Sequence, residues 1–172
     1  MSDLFERVVS QQDALKKLLA KLPGFKGYFI RQDRRAADKL LRETIADKYQ
    51  AQWQRLSSIQ RDLVSGGHLD VLDDIEIGAI RMRQFIDRVK TAAYGYAGLF
   101  DAVKVKEEEL EKVYQYDLTL LEMADEIASA VDNLEASIGS DGFPAAIRNV
   151  NQKALDSLDA FNQRADLLKF GQ

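Results

Sequence analysis

The chain has 172 residues, no cysteine, 30% charged residues and a formal net charge of −4 at pH 7. A chain of this length can bury a hydrophobic core as one domain, over residues 1–172, and without cysteine it forms neither disulfides nor thiolate metal sites. The N-terminus lacks the basic and apolar regions of a secretory signal, and the longest uncharged internal run, TAAYGYAGLF, is about half of the roughly 20 residues that a membrane-spanning helix needs. We therefore expect a cytoplasmic protein.

Apolar residues recur every three or four positions in five segments, which is typical of amphipathic helices. Only 2 prolines and 10 glycines interrupt the chain, and they cluster between these segments. The first helix should end before Pro23, because a residue that precedes proline disfavours the helical conformation. The pattern predicts helices near 3–22, 28–64, 70–101, 106–138 and 145–170.

The third and fourth of these helices have the most regular pattern, with apolar steps of four and three residues. Such spacing keeps one face of a helix against a partner in knobs-into-holes packing. Short connections make consecutive long helices run antiparallel. The sequence therefore predicts an all-α fold, an elongated antiparallel bundle of four long helices with a shorter N-terminal helix. Gly95 and Gly98 would allow close helix packing, and whether they line a pocket is left open.

The segment PGFKGYFIRQDRRAADKLL combines aromatic side chains with a run of cations. Arg31, Arg35, Lys39 and Arg42 are spaced to form one stripe on a helix, with Arg34 beside it. Like charges four residues apart destabilise a helix by about 0.2–0.5 kcal/mol per pair. Residues 26–42 contain six cations and two anions, whereas residues 107–135 contain ten anions and one cation.

Four kinds of partner could bind this basic stripe. An acidic helix, of the same chain or of a second copy, is the simplest, and an acidic surface of another protein is a further one. An anionic membrane surface is another, because Phe25, Tyr28 and Phe29 could anchor an interfacial helix. Nucleic acid is disfavoured by the net charge of −4 and a pI near 5.1.

The acidic residues of the fourth helix form two short motifs, E-E-x-x-E and E-x-x-D. They resemble the magnesium-binding carboxylates of all-α nucleotide pyrophosphohydrolases, in which the two motifs lie on separate helices. Here both motifs lie on one predicted helix, about three turns or ~16 Å apart, too far to share a Mg²⁺ ion. The favoured interpretation is a solvated acidic face without metal or cofactor. The residues concerned are Glu107, Glu108, Glu111, Glu122 and Asp125.

Asp117 lies on the apolar face of the fourth helix, between Val113 and Leu121. A buried carboxylate without a partner is costly, so we expect it to be paired. Antiparallel packing of the third and fourth helices predicts Lys90 or Tyr94 as the partner, with Asp117 fixing the helix register. The alternatives are an edge position at which Asp117 reaches water, or a functional pocket.

The favoured function is a non-enzymatic interaction or scaffolding module that self-associates through complementary basic and acidic helix faces. The alternative is a peripheral membrane-surface protein that uses the aromatic and basic residues of the segment 25–42. A small-ligand or metal-dependent enzyme, acting through carboxylates of the fourth helix, comes third. No catalytic residue is predicted, and the single histidine, His68, is expected in an exposed loop.

Overall fold

A computed structural model describes residues 13–31, 33–92 and 107–169. Over these ranges the regular structure is entirely helical, which confirms the predicted all-α class. A 3₁₀ turn, Leu69–Val71, precedes the fourth α-helix. The α-helices are α1 (Asp13–Lys21), α2 (Phe25–Ile30), α3 (Arg34–Ser65), α4 (Leu72–Thr91), α5 (Glu107–Ala136) and α6 (Phe143–Lys169).

The four long helices α3 to α6 form a bundle in which their order around the axis is α3, α4, α6, α5. α3 and α4 are antiparallel neighbours, as are α5 and α6. Across the other two interfaces the helices run parallel. Lys48 and Arg55 of α3, for example, contact Asp125 and Asp132 of α5 in the same order along both helices. α4 and α5 are consecutive in the chain, yet they lie diagonally across the bundle.

The helices α1 and α2 cover the groove between α3 and α5. Leu15 and Leu18 of α1 are fully buried, and α1 packs along α5. Phe25 of α2 is also fully buried, and the ring of Phe29 lies 5.9 Å from that of Tyr114 on α5. The short helices α1 and α2 thus add a further part of the hydrophobic core outside α3 and α5.

The predicted helix 28–64 contains a break in the structure, because α2 ends at Ile30 and α3 begins at Arg34. Asp33 caps α3, with its carboxylate accepting a hydrogen bond of 3.1 Å from the amide of Ala36. Such a cap satisfies one of the amides that lack a partner within the first turn of a helix.

The helix predicted to reach residue 101 ends at Thr91, since the backbone of Ala92 is extended with ψ of 136°. The side chain of Arg42 donates hydrogen bonds to the carbonyls of Val89 and Ala92 at this end. Residues 93–106, with Tyr94, Gly95 and Gly98, lie outside the described residues. Among the helices that are described, none is both long enough and apolar enough to cross a membrane.

Candidate functional site: a buried charge cluster and the charged helix faces

Four charged side chains meet inside the bundle, and we call them the buried charge cluster: Asp38 and Arg42 of α3, Asp117 of α5 and Arg164 of α6. Asp38 and Asp117 are 0% exposed and Arg164 is 2% exposed. Arg164 donates to Asp117 at 2.5 Å and to Asp38 at 3.2 Å. Arg42 donates to the other oxygen of Asp38 at 2.9 Å. Two acids and two bases therefore balance each other where three helices meet.

Arg42 belongs to this cluster and is 8% exposed, so it is not one of the cations that a basic stripe could offer to a partner. Its guanidinium also donates to the carbonyls of Val89 and Ala92, at 3.1 and 3.0 Å. The last carbonyl oxygens of a helix receive no hydrogen bond from within the helix, so a donor from another helix can bind them. A cation at this end also interacts favourably with the helix dipole. Arg42 thus joins α3 to the end of α4.

Asp117 is buried, and of its two predicted partners Lys90 was wrong. Lys90 is exposed on α4, and α4 does not lie against α5. The other predicted partner, Tyr94, lies outside the described residues, and Arg164 of α6 donates a hydrogen bond to Asp117. The prediction of Lys90 assumed that helices consecutive in the chain are neighbours in the bundle.

Sequence reasoning missed Asp38 and Arg164, although each had a weak signal. Asp38 follows the buried Ala37 directly, and Arg164 comes one turn after the buried Phe161. A charged residue at the edge of an apolar face is usually solvated, so only a matching set on other helices would have indicated burial. The acids and bases of the cluster contact one another across α3, α5 and α6, and these contacts connect the three helices.

Three of the remaining cations of the predicted stripe lie on the surface. Arg31, Arg35 and Lys39 are exposed, whereas for Arg34 the structure describes only the backbone. The guanidinium of Arg31 lies 5.1 Å from the ring centre of Tyr28, and Lys39 lies 3.7 Å from Glu43. We call Arg31, Arg35 and Lys39 the exposed basic stripe.

The predicted aromatic anchor is largely inside the molecule. Phe25 is 0% exposed and Phe29 is 7% exposed, and their rings pack at 5.9 Å from each other. Tyr28 is half-buried. The prediction that Phe25 and Phe29 are available to a membrane was therefore wrong, because both side chains fill the space between α2, α3 and α5.

Four of the described acids of α5 contact cations outside the exposed basic stripe. Asp125 contacts Lys48 at 2.7 Å and Lys21 at 3.8 Å, and Glu126 contacts Lys153 at 2.6 Å. Arg55 binds both Asp132 and Glu135, at 2.7 and 2.8 Å. The hydrogen bond to Glu135 raises the pKa of the Arg55 guanidinium above its ordinary value. These contacts join α5 to α1, α3 and α6.

Of the five carboxylates of the two acidic motifs, the structure describes two. Glu122 and Asp125 are exposed on α5, and the side chains of Glu107, Glu108 and Glu111 lie outside the described part of the chain. Among the side chains that are described, no group of three or more potential ligands could hold a metal ion. The single histidine, His68, is exposed beside the turn between α3 and α4.

Two surface grooves accompany these faces. A groove of about 550 Å³ between α5 and α6 has Tyr116, Met123 and Ala160 among its lining residues. A groove of about 490 Å³ between α3 and α4 is lined by Lys39, Arg42, Glu43, Asp47 and Lys90. The second groove places the exposed basic stripe next to the buried charge cluster.

Inside the bundle, Tyr49 and Ser157 join α3 to α6 through their hydroxyl groups, and the ring of Tyr49 stacks on Phe85 of α4 at 4.2 Å. Burial raises the pKa of the Tyr49 hydroxyl above its ordinary value, although the hydrogen bond with Ser157 acts in the opposite direction.

Comparisons of the chain with protein-family models, with curated proteins and with solved structures give no match. The function is therefore argued from the helix faces alone.

Proposed function

We propose that the protein is a non-enzymatic helical interaction module that acts as a scaffold by binding acidic protein surfaces. The first partner that we propose is a second copy of the same chain. The observation that carries this proposal is the exposure of Arg31, Arg35 and Lys39. Asp125, Glu126 and Asp132 of α5 contact Lys21, Lys48, Arg55 and Lys153. Exposed cations grouped at one end of a helix are suited to an acidic surface of another chain.

A second copy offers such a surface at the opposite end of the bundle. The exposed basic stripe lies where α3 begins, whereas residues 60–77 surround the turn between α3 and α4 and contain five anions and one cation. Two bundles that lie side by side in opposite directions would bring these regions together. Complementary potentials of this kind accelerate association and select the orientation of the partners.

The interior supports a structural role for the ionisable groups there. Asp38, Arg42, Asp117 and Arg164 contact one another, and Arg42 in addition binds backbone carbonyls of α4. Their hydrogen bonds join helices, and the surface groups are therefore the ones offered to partners.

The test reverses the stripe with the triple variant Arg31→Glu, Arg35→Glu, Lys39→Glu. Exposed ion pairs contribute about 0–1 kcal/mol each, so helicity and melting temperature should change little. Self-association, measured by sedimentation velocity, or capture of a partner should be lost. In the wild type both should weaken as the salt concentration rises, because exposed charges are screened.

A matched control makes the same change of charge elsewhere, with the variant Lys16→Glu, Lys17→Glu, Arg148→Glu, whose residues are also exposed. The control should associate like the wild type. A triple stripe variant that keeps every interaction would overturn the proposal. Flotation with anionic vesicles separates the membrane alternative, since binding that requires lipid and no protein would also overturn it.

A further inference from the structure

The outward face of α4 carries two adjacent apolar side chains between opposite charges. Ile77 is 42% exposed and Ile80 is 48% exposed, and a spacing of three residues places them on the same face. The acids Asp74 and Glu76 precede this pair, and the bases Arg81 and Arg83 follow it. Over a wider range, residues 60–77 contain five anions and one cation, whereas residues 78–91 contain four cations and one anion.

The contacts of these charged residues show on which side of the face each one lies. Glu76 accepts a hydrogen bond from Gln60 of α3, and Arg83 stacks on Trp53 of α3, so both lie on the α3 side. On the α6 side, the carbonyl of Asp74 accepts from Asn151, and Arg81 donates to the carbonyl of Asn151. Each side of the face therefore has an acid before the isoleucines and a base after them.

We propose that two copies of the chain associate through α4, packed antiparallel about a two-fold axis that passes between Ile77 and Ile80. This inference rests on the self-association in the proposed function and adds a second surface to it, one that does not include the exposed basic stripe. A two-fold axis that lies in the interface, perpendicular to both helices, brings the α3 side of one copy against the α3 side of the other. Ile77 then faces Ile80 of the second copy, and the reverse contact forms by symmetry.

The charges match in this arrangement and in no parallel one. In the antiparallel pair, Glu76 faces Arg83 of the second copy and Asp74 faces Arg81, so four ion pairs surround four isoleucines. In a parallel pair, residues at the same height would meet, which places acids against acids and bases against bases. Like charges across an interface oppose association. Arg83 lies 3.6 Å from Asp87 in its own chain, an exposed contact that leaves it within reach of a second carboxylate.

The test uses two single variants and their mixture. In Glu76→Arg, an arginine would face Arg83 of the second copy, and in Arg83→Glu, a glutamate would face Glu76. Each variant alone should dimerise about tenfold more weakly than the wild type, because each replaced pair occurs twice in the dimer. Mixing the two variants should restore a mixed dimer of wild-type affinity, because both 76–83 ion pairs are then present, one with the native signs and one with the signs exchanged. Sedimentation equilibrium of each sample and native mass spectrometry of the mixture measure this.

The apolar centre has its own variant and control. Ile77→Glu combined with Ile80→Glu should weaken dimerisation at least about a hundredfold. The control is Ile138→Glu, which makes the same change at an isoleucine that is 41% exposed. Ile138 lies in the turn between α5 and α6, at the same end of the bundle. The control should not affect dimerisation. Circular dichroism checks that all variants stay helical.

The outcomes separate this inference from the proposed function. A wild-type dimer that survives the α4 variants but is lost on reversal of Arg31, Arg35 and Lys39 would overturn the α4 interface and leave the proposed function standing. A wild type that stays monomeric would overturn the α4 interface, and capture of another acidic protein by the stripe would then decide the proposed function. A mixture that associates no better than its two components would overturn the antiparallel arrangement.

Discussion

Arg164 binds two carboxylates at once, and both of these have almost no contact with water. Asp117 accepts from its Nε and Asp38 from its Nη2. Removing a charged group from water costs several kcal/mol, and only a partner with good geometry compensates for it. The net gain in stability from such a cluster is therefore small, but the loss of any one member leaves a charge buried without its partner.

At the residue scale, we predict that Asp117→Ala lowers the free energy of unfolding by about 3 kcal/mol or more, because it removes one of the two carboxylates that neutralise Arg164. Urea unfolding followed by circular dichroism measures the change. Asp125→Ala is the control on the same helix, since Asp125 contacts Lys48 at the surface and its loss should cost at most about 1 kcal/mol.

A double-mutant cycle with Arg164→Ala isolates the pair itself. Residues in one ion-pair network show coupling energies of about 0.5–3 kcal/mol, and we expect a value in the upper part of this range. A cost for Asp117→Ala no greater than that of Asp125→Ala would mean that Asp117 is solvated in the native protein.

The sequence predicted the burial of Asp117 but not its contact with Arg164, and the reason is physical. Val113 and Leu121, one turn before and one turn after Asp117, place it on the apolar face of its helix, and that pattern is local. Arg42 and Asp38 are four residues apart, a spacing equally common for exposed pairs on a helix surface. Burial of that pair depends on α4 and α6, which no local pattern specifies.

At the element scale, α4 and α6 approach each other closely at Gly78. A Cβ atom at this position would lie 2.5 Å from the Oδ1 atom of Asn151 and 3.4 Å from a methyl group of Val150. Asn151 is held in place, because its amide donates to the carbonyl of Asp74 at 2.8 Å. The absent side chain at position 78 therefore sets the distance between the two helices.

We predict that Gly78→Ala destabilises the protein by about 1–3 kcal/mol, since overpacking exceeds the roughly 1 kcal/mol that alanine gains over glycine in a helix. Gly27→Ala is the control, because a Cβ atom there would have nothing within 4 Å. Thermal unfolding of both variants measures the difference. An increase in melting temperature for Gly78→Ala would show that Asn151 moves aside at little cost.

The helix boundaries show which element-scale features the sequence predicts. Spacing of apolar residues gave the long helices, because it depends only on residues a few positions apart. The break between Ile30 and Arg34 was missed, although Asp33 is a typical capping residue. The end of α4 was also missed, and it is capped by Arg42 from another helix, which is a long-range contact.

At the scale of the whole molecule, the bundle is long relative to its width. The 32 residues of α3 correspond to about 48 Å at 1.5 Å per residue. A compact globule of 172 residues would have a radius of gyration of roughly 16 Å. We predict that small-angle scattering gives a clearly larger radius and an elongated distance distribution for the monomer at low concentration. A value near that of the globule would contradict the bundle geometry.

The order of helices around the axis could not be predicted from the sequence. The apolar faces of α4 and α5 indicate that each helix packs against other helices, but they do not specify which helices these are. The buried charge cluster distinguishes between the arrangements, since Arg164 must meet Asp117 and Asp38 together. A pattern read along one helix cannot contain that requirement, because it involves three helices.

The pairing of antiparallel neighbours has a consequence for how the chain folds. α3 with α4, and α5 with α6, are two hairpins whose contacts are close in sequence, and local contacts form early in folding. The bonds from Arg164 to Asp38 and from Lys48 to Asp125 cross between the hairpins and can form only when these dock. Interactions absent from the transition state affect mainly the rate of unfolding. The buried charge cluster would thus slow unfolding, because its hydrogen bonds must break before the two hairpins separate.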